Sequence, residues 1–329
     1  MELEKTSLFL GHDEQEAALA QSLRSGKIFP TWIFCGPFGV GKSTLAHRFA
    51  KCLLSETIPS ENHLDCWNES IGHHIDQRTH PDFFVLEQRE ESISIDETRD
   101  LTTKILKNPS MSKWRFMILE NASNLNKNIS NSLLKLLEEP PKNSVIVLIC
   151  ETIGLLPKTL VSRASVLNFK PLSDDQVCAI LKNKNIEDAE KLAQLADGSV
   201  GYALYLRENN GLEIYDRLLR AFDFSIGQPN YAGALKYLIE NDYVDNFRII
   251  RESLVRILKI YADLLNGVAE KHPQKDRMIL QSAISKRDLD TDAEMKKILE
   301  ILHMISEGEA MMLDKKSILL YVFEKFFGH

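Results

Sequence analysis

A chain of 329 residues with 44% hydrophobic and 26% charged residues is long enough for two or three domains, each with its own core. Its net charge of -7 argues against a protein that holds nucleic acid mainly through its own electrostatic field, so DNA contact should be shared with partners. No stretch approaches the roughly 18 apolar residues of a membrane span, and residues 1–5 lack signal-peptide features. We therefore expect a cytoplasmic protein without membrane contact, whose five scattered cysteines are free thiols.

The first half of the chain alternates between strand-like and helical patterns. Thr31–Cys35 is a short aromatic and β-branched run that predicts a strand, and the apolar spacing of residues 45–54 predicts a helix. Further strands are predicted at 82–86, 115–119, 144–150 and 166–169, and helices at 95–106 and 129–138. This alternation predicts an α/β fold, with a parallel five-stranded sheet covered by helices on both faces.

After residue 170 the strand patterns stop. Residues 174–206 predict short helices interrupted at Asp197 and Gly198, which is typical of a small helical lid. The pattern stays helical from residue 208, with one apolar stripe formed by Phe247, Ile250, Leu254, Ile257, Leu258 and Tyr261. We therefore predict a P-loop nucleotide-binding domain at 1–170, a helical lid at 171–207 and an all-α C-terminal domain at 208–329.

Residues 36–43 match the phosphate-loop pattern G-x-x-x-x-G-K-[ST], reading Gly-Pro-Phe-Gly-Val-Gly-Lys-Ser. The motif lies between a predicted strand and a predicted helix, where backbone N–H groups can surround phosphate oxygens. A lysine there neutralises phosphate charge, and a hydroxyl can ligate magnesium. The candidate nucleotide-binding residues are Gly36, Gly39, Gly41, Lys42, Ser43 and Thr44. ATP with magnesium is the expected ligand, and a loop that has kept its shape but lost nucleotide is the alternative.

The predicted strand at 115–119 is followed by Glu120 and Asn121. A P-loop ATPase needs an acid after this strand to hold magnesium, and a neighbouring base to activate water. Glu120 stands at the magnesium position and joins the candidate binding residues, whereas Asn121 stands at the base position. An amide cannot take a proton from water, and losing a positioned base costs about two to four orders of magnitude in rate. The chain alone is therefore expected to hydrolyse ATP very slowly.

Residues 129–141 read Ile-Ser-Asn-Ser-Leu-Leu-Lys-Leu-Leu-Glu-Glu-Pro-Pro and closely resemble the N-A-L-L-K-x-L-E-E-P-P signature of clamp-loader subunits in the AAA+ family. The sequence Ser-Arg-Ala at 162–164 is similar to the family's S-R-C motif, with alanine in place of cysteine. His-Pro-Asp at 80–82 and Gly-Ser-Val-Gly-Tyr-Ala-Leu at 198–204 resemble two further landmarks. The resemblance runs from about residue 8 to 206 and implies an AAA+ fold, with residues 208–329 as the helical collar domain.

Within this family, the sequence resembles the delta-prime subunits of bacterial DNA polymerase III. The resemblance implies a clamp-loader subunit that joins gamma/tau motor subunits and a delta subunit in a hetero-pentamer. That complex loads the sliding clamp on primed DNA during replication. It also implies that Arg163 acts as an arginine finger, reaching the γ-phosphate held by the neighbouring subunit. The alternatives are a gamma/tau-like motor or autonomous ATPase, with Glu120 as catalytic acid, and a small-molecule kinase.

The family often carries a zinc module, C-x8-C-x2-C-x2-C, between the phosphate loop and His-Pro-Asp. Only Cys52 and Cys66 lie in this interval here. Zinc also accepts imidazole nitrogen, and the interval and its end supply His63, His73, His74 and His80. Their irregular spacing lacks the paired C-x2-C grip, so we expect no zinc and no other structural metal.

Overall fold

The computed structural model describes residues 8–86, 103–122, 136–137, 139–223, 231–240, 243, 247–268, 272–285, 290–310 and 314–327. The chain divides into two compact units, Met1–Leu204 and Tyr205–His329. The separation of 171–207 from 1–170 as a lid stays a prediction. Two predicted helices, 95–106 and 129–138, lie mostly outside the described residues. The same is true of most of the clamp-loader signature at 129–141.

The first unit contains the predicted parallel sheet of five strands, in the order β2-β3-β4-β1-β5. Its strands are β1 Thr31–Cys35, β2 Phe83–Leu86, β3 Arg115–Leu119, β4 Ser144–Cys150 and β5 Ser165–Asn168. The predicted bounds of β1, β3 and β4 are confirmed. β2 starts one residue later than predicted because Phe83 N donates to His80 O in a turn. β5 starts one residue earlier, since Ser165 already pairs with Trp32.

Successive residues of β1 alternate between two hydrophobic cores, one on each face of the sheet. Trp32 and Phe34 lie in the first core, together with Phe49 of the helix after the phosphate loop. Ile33 belongs to the second core, which also contains Leu136 of the clamp-loader signature. Cores on both faces are what a parallel sheet requires, so the predicted fold class is confirmed.

The described helices of the first unit include α1 Asp13–Ser25, α2 Lys42–Leu54, α3 Glu69–Asp76, α4 Lys158–Val161, α5 Asp174–Asn183, α6 Ala189–Leu195 and the start of α7 Val200–Glu208. A short 3-10 turn, Ile153–Leu155, precedes α4. α5 begins at a capping box, in which the Ser173 hydroxyl accepts from Gln176 N and the Gln176 side chain accepts from Ser173 N. This cap fixes the start of α5, the first helix after β5.

The second unit is helical over its described elements. These are α8 Gly211–Ala221, α9 Tyr231–Glu240, α10 Phe247–Leu265, α11 Gln274–Ser285, α12 Thr291–Ala310 and α13 Lys315–Phe327. The apolar stripe predicted on α10 is buried from Phe247 to Tyr261. Among the helices of the described ranges, none is long and apolar enough to cross a membrane.

Candidate functional site

The phosphate loop leaves the carboxyl end of β1 and enters α2 at Lys42. Gly39 has a φ of +70°, and a Cβ there would lie 2.4 Å from Ser199 Oγ, so no larger residue fits. A Cβ on Gly36 would lie 2.4 Å from the carbonyl oxygen of Phe169. The glycines of the motif are therefore needed for backbone shape and for the close approach of neighbouring segments.

Lys42 is held inside the loop that it follows. Its Nζ donates to Gly36 O at 2.6 Å and to Pro37 O at 2.5 Å, and the residue is only 6% exposed. Burial is the main reason why the pKa of Lys42 is lowered, while the carboxylate of Glu151 acts in the opposite direction. A buried ammonium group attracts a phosphate more strongly than an exposed one because water screens it less.

Two further loop carbonyls accept hydrogen bonds from segments that the sequence motif does not include. Gly201 N donates to Gly39 O at 2.9 Å, and His12 Nε2 donates to Val40 O at 2.7 Å. Sequence reasoning missed both contacts, because nothing in the local pattern around His12 indicates a partner 28 residues away. Carbonyl groups of the loop are thus held by His12, which precedes the loop in the sequence, and by Gly201, which follows it.

The N–H groups of the same loop have no such partners among the described residues. Over the part of the chain that the structure describes, the backbone N–H groups of residues 39–44 donate to no protein acceptor. Unpaired N–H groups at the start of a helix, with a buried lysine beside them, form an anion-binding site. These residues therefore fit the phosphate groups of a nucleotide.

A cavity of about 300 Å³ opens beside the loop within the first unit. Its polar wall includes Lys42, Ser43, Glu120 and Asn121. The rest of the lining is mainly apolar, with contributions from Phe9, Leu172, Ile180 and Leu204. An apolar cavity with a few polar groups at one end suits a flat organic group attached to phosphates.

The predicted magnesium ligands meet at this cavity. Ser43 Oγ donates to Glu120 Oε1 at 2.6 Å, which places hydroxyl and carboxylate oxygens together next to the unpaired N–H groups. Magnesium prefers such oxygen ligands and is usually completed by phosphate oxygens and water. Asn121 is exposed beside them in a left-handed conformation with φ of +53°, so the residue next to Glu120 at the cavity wall carries an amide and not a carboxylate.

Arg163 lies at the opposite end of the sheet from this cavity. It is exposed, and its Nη1 donates to Thr159 O at 2.8 Å. β5 begins two residues later, at Ser165, which pairs with Trp32 near the amino end of β1. The phosphate loop leaves the carboxyl end of β1, three residues or about 10 Å further on. The structure therefore does not bring Arg163 together with the other predicted site residues.

The His-Pro-Asp landmark has a structural role that the sequence did not reveal. Asp82 is fully buried and accepts from the backbone N–H groups of residues 110–112 at 2.7–3.0 Å, with Arg115 Nη2 3.4 Å away. Burial alone would raise the pKa of Asp82, but these hydrogen bonds and the arginine outweigh it, so the pKa is lowered. The buried His80 accepts from Asp82 N through Nδ1, and burial lowers the pKa of His80.

The candidate zinc ligands have separate partners. Cys66 Sγ lies 3.7 Å from Cys52 Sγ, whereas His63 Nδ1 donates to Glu16 at 3.1 Å. Among the described residues, no group of three or more histidine, cysteine or acidic side chains could hold a metal ion. The absence of zinc stays a prediction.

Comparison with known proteins is consistent with this geometry. Residues 11–173 match the protein family described as DNA polymerase III, delta subunit. DNA polymerase III subunit gamma of Buchnera aphidicola is 24% identical over 313 residues, which are 92% of this chain and 78% of the relative. Subunit delta' of Pseudomonas aeruginosa is 32% identical over 174 residues, 51% of this chain and 52% of the relative.

Among solved structures, a gamma-subunit-related protein of Thermotoga maritima has a TM-score of 0.46 at 16% identity, covering 95% of this chain and 97% of that one. The first unit itself has the AAA+ fold. Its sheet has the strand order β2-β3-β4-β1-β5, and the phosphate loop follows β1. Family match and relatives agree, and the chain is similar to the clamp-loader subunits of DNA polymerase III.

Proposed function

We propose that this chain is a delta-prime-type stator of the clamp loader, which assists ATP hydrolysis in a neighbouring subunit and hydrolyses ATP very slowly itself. The observation that carries the proposal is the pair Glu120 and Asn121 at the cavity wall. Glu120 already accepts from Ser43, and Asn121 can orient a water molecule but cannot accept its proton. The site therefore has the parts for binding a nucleotide, and it has an amide at the position where an ATPase carries its water-activating base.

ATP with magnesium is the proposed ligand of the chain's own cavity. The N–H groups of residues 39–44 and the ammonium of Lys42 would hold the phosphates, and Ser43 and Glu120 would hold the metal. Bound magnesium would neutralise phosphate charge. With an amide at position 121 in place of the base, bound ATP would act mainly as a structural ligand.

Arg163 is the proposed contribution to the neighbouring active site. Its exposure, and its place at the opposite end of the sheet from its own phosphate loop, support action in trans. A planar guanidinium that reaches another subunit's γ-phosphate stabilises the charge of the transition state, an effect worth about a thousandfold or more in rate.

The proposed setting is a cytoplasmic hetero-pentamer with gamma/tau motor subunits and a delta subunit. In it, the helical second unit would serve as the collar domain that holds the subunits together. The sliding clamp and primed DNA would be reached through the complex, because a chain with a net charge of -7 is poorly suited to binding DNA by itself.

A gamma/tau-like motor is the second candidate. The gamma relative from Buchnera aphidicola covers 92% of this chain, and the phosphate loop retains every residue that its motif needs. In that case the chain's own site would turn over ATP, with Glu120 as catalytic acid.

The test is the ATPase rate of a clamp loader reconstituted with the motor and delta subunits of the same organism, in the presence of clamp and primed DNA. The variants are Arg163→Ala, Lys42→Ala and, as a matched control, Lys158→Ala, which removes another exposed cation from the same segment. We expect a loss of about a thousandfold in the sites next to this chain for Arg163→Ala, and little change for the other two. A damaging Lys42→Ala with a harmless Arg163→Ala would establish a motor instead.

A further inference from the structure

His12 connects the segment before α1 to the phosphate loop. It is 1% exposed, and its Nε2 lies 2.7 Å from the carbonyl oxygen of Val40. A carbonyl oxygen can only accept, so Nε2 must carry the proton. Burial is the main reason why the pKa of His12 lies below its ordinary value, which keeps the ring neutral at pH 7 with a single N–H group.

Two aromatic rings fix the orientation of this imidazole. The ring centroid of Phe169 lies 4.8 Å from that of His12 in an edge arrangement, and the ring of Phe9 lies 5.8 Å away. Phe169 follows β5 directly, and its backbone N–H donates to Cys35 O at 2.7 Å. The imidazole is therefore positioned by the sheet itself, through the residue that follows its edge strand.

The hydrogen bond acts on a peptide unit at the centre of the site. The peptide group that joins Val40 and Gly41 is planar and trans, so its C=O and N–H bonds point in opposite directions. Holding the Val40 carbonyl on the His12 side directs the Gly41 N–H the other way, where none of the described residues accepts from it. Gly41 has a φ of +113° and no Cβ, so the glycine side of this peptide group restrains its rotation only weakly.

We propose that His12 is a positioning residue of the anion site: its Nε2–H group holds the Val40 carbonyl and thereby aims the Gly41 N–H at the nucleotide phosphates. The nucleotide part of this proposal rests on the proposed function. The hydrogen bond and its effect on the loop do not, so the two parts can be tested separately.

His12→Phe keeps an aromatic ring of similar size and removes the donor, whereas His12→Gln keeps an N–H donor at a similar reach. Leu23→Ala is the matched control, because it removes a buried side chain from the far end of α1 without touching the loop. All variants are made in the full chain.

The loop is observed through selective isotope labels. With 13C-carbonyl valine and 15N-glycine, only the pairs Val40-Gly41 and Val200-Gly201 give a carbonyl-to-amide NMR correlation, because the sequence contains no other Val-Gly step. We expect His12→Phe to shift the Val40 carbonyl and Gly41 amide signals, His12→Gln to restore them, and Leu23→Ala to leave them in place. An unmoved Val40 signal in His12→Phe, or the same shift in Leu23→Ala, would overturn the proposal.

Nucleotide binding is measured on the same proteins with fluorescent mant-ADP and magnesium. Loss of one hydrogen bond that orients a phosphate ligand should weaken binding about fivefold or more in His12→Phe, with recovery in His12→Gln. Equal affinity in wild type and His12→Phe would overturn the positioning role. If wild type binds no mant-ADP, the nucleotide part of the proposed function fails, and the NMR shifts alone decide whether His12 orients the loop.

Discussion

Replacing Asp82 with asparagine tests the structural role of the His-Pro-Asp landmark. Oδ2 of Asp82 accepts from two backbone N–H groups, those of Met111 and Ser112. Oδ1 accepts from Ser110 N at 2.8 Å and faces Arg115. Asparagine can keep one oxygen toward the pair of donors, but its NH2 group must then face the remaining N–H and the guanidinium. The variant therefore loses a charge-assisted hydrogen bond and the arginine's carboxylate partner.

The expected loss of unfolding free energy is about 3 kcal/mol. Breaking a buried ion pair by removing one partner typically costs about 3–5 kcal/mol. The lower end applies because Arg115 keeps hydrogen bonds to the backbone carbonyls of Lys104 and Asn108. Since whole domains are stable by only about 5–15 kcal/mol, a loss of this size should be obvious in a urea titration.

Tryptophan fluorescence reports the unfolding of the first unit, which contains Asp82, because the three tryptophans at positions 32, 67 and 114 all lie in this unit. Asp65→Asn is the matched control, since Asp65 is exposed in the same unit. A difference between Asp82→Asn and this control below about 1 kcal/mol would refute the argument.

The pH dependence gives a second check on the same residue. The folded-state pKa of Asp82 is lowered, so its stabilising contribution is present above the unfolded value of about 3.9 and is lost as the pH falls through the folded value. The stability difference between wild type and Asp82→Asn should therefore be full at pH 6 and shrink below about pH 4. A difference that stays constant through this range would show that ionisation of Asp82 is not what stabilises the fold.

Three further substitutions test other parts of the structure. Gly201→Ala places a Cβ 2.7 Å from the phosphate-loop backbone and should destabilise the first unit by about 1–3 kcal/mol, measured in urea titrations followed by fluorescence. Gly154→Ala is the control and should not destabilise the unit, because a Cβ at Gly154 has open space around it. Asn121→Glu supplies a carboxylate at the base position and should raise phosphate release by the isolated chain about a hundredfold; an unchanged rate would mean that the amide is not what limits hydrolysis. Tyr215→Phe removes the hydroxyl that donates to the buried Asp276 at 2.6 Å. It should lower the stability of the second unit by about 1–3 kcal/mol, measured by circular dichroism. Equal stability of the variant and the wild type would contradict a stabilising role for this hydrogen bond.

The sheet was predictable because its signal is local and strong. β1 and β4 are buried on both faces, so each is a continuous run of apolar and β-branched residues with clear ends. The phosphate loop was equally predictable, since its glycines and its lysine lie within eight consecutive residues. The edge strand β5 is less buried than β1 and β4, and its bounds were wrong by one residue.

The contacts that complete the site were not predictable, because they join residues far apart in the chain. His12 and Gly201 each donate to a loop carbonyl, and only the folded structure brings them there. Asp82 belongs to a recognised motif, yet its carboxylate is used to bind a loop that begins 28 residues later. A sequence pattern can name such a residue without indicating its partner.

The hydrogen bond from Arg163 to Thr159 O has a consequence for the proposed role of this arginine in trans. The bond joins a side chain to a carbonyl one helical turn earlier, and it is exposed to water. Water can replace an exposed partner of this kind, so releasing the guanidinium should require on the order of 1 kcal/mol or less. The hydrogen bond keeps the long side chain near its own backbone for part of the time. One good contact with an approaching anion is enough to replace it. If Arg163 acts in trans as proposed, this weak hydrogen bond would allow it to engage and withdraw repeatedly as the partner surface opens and closes.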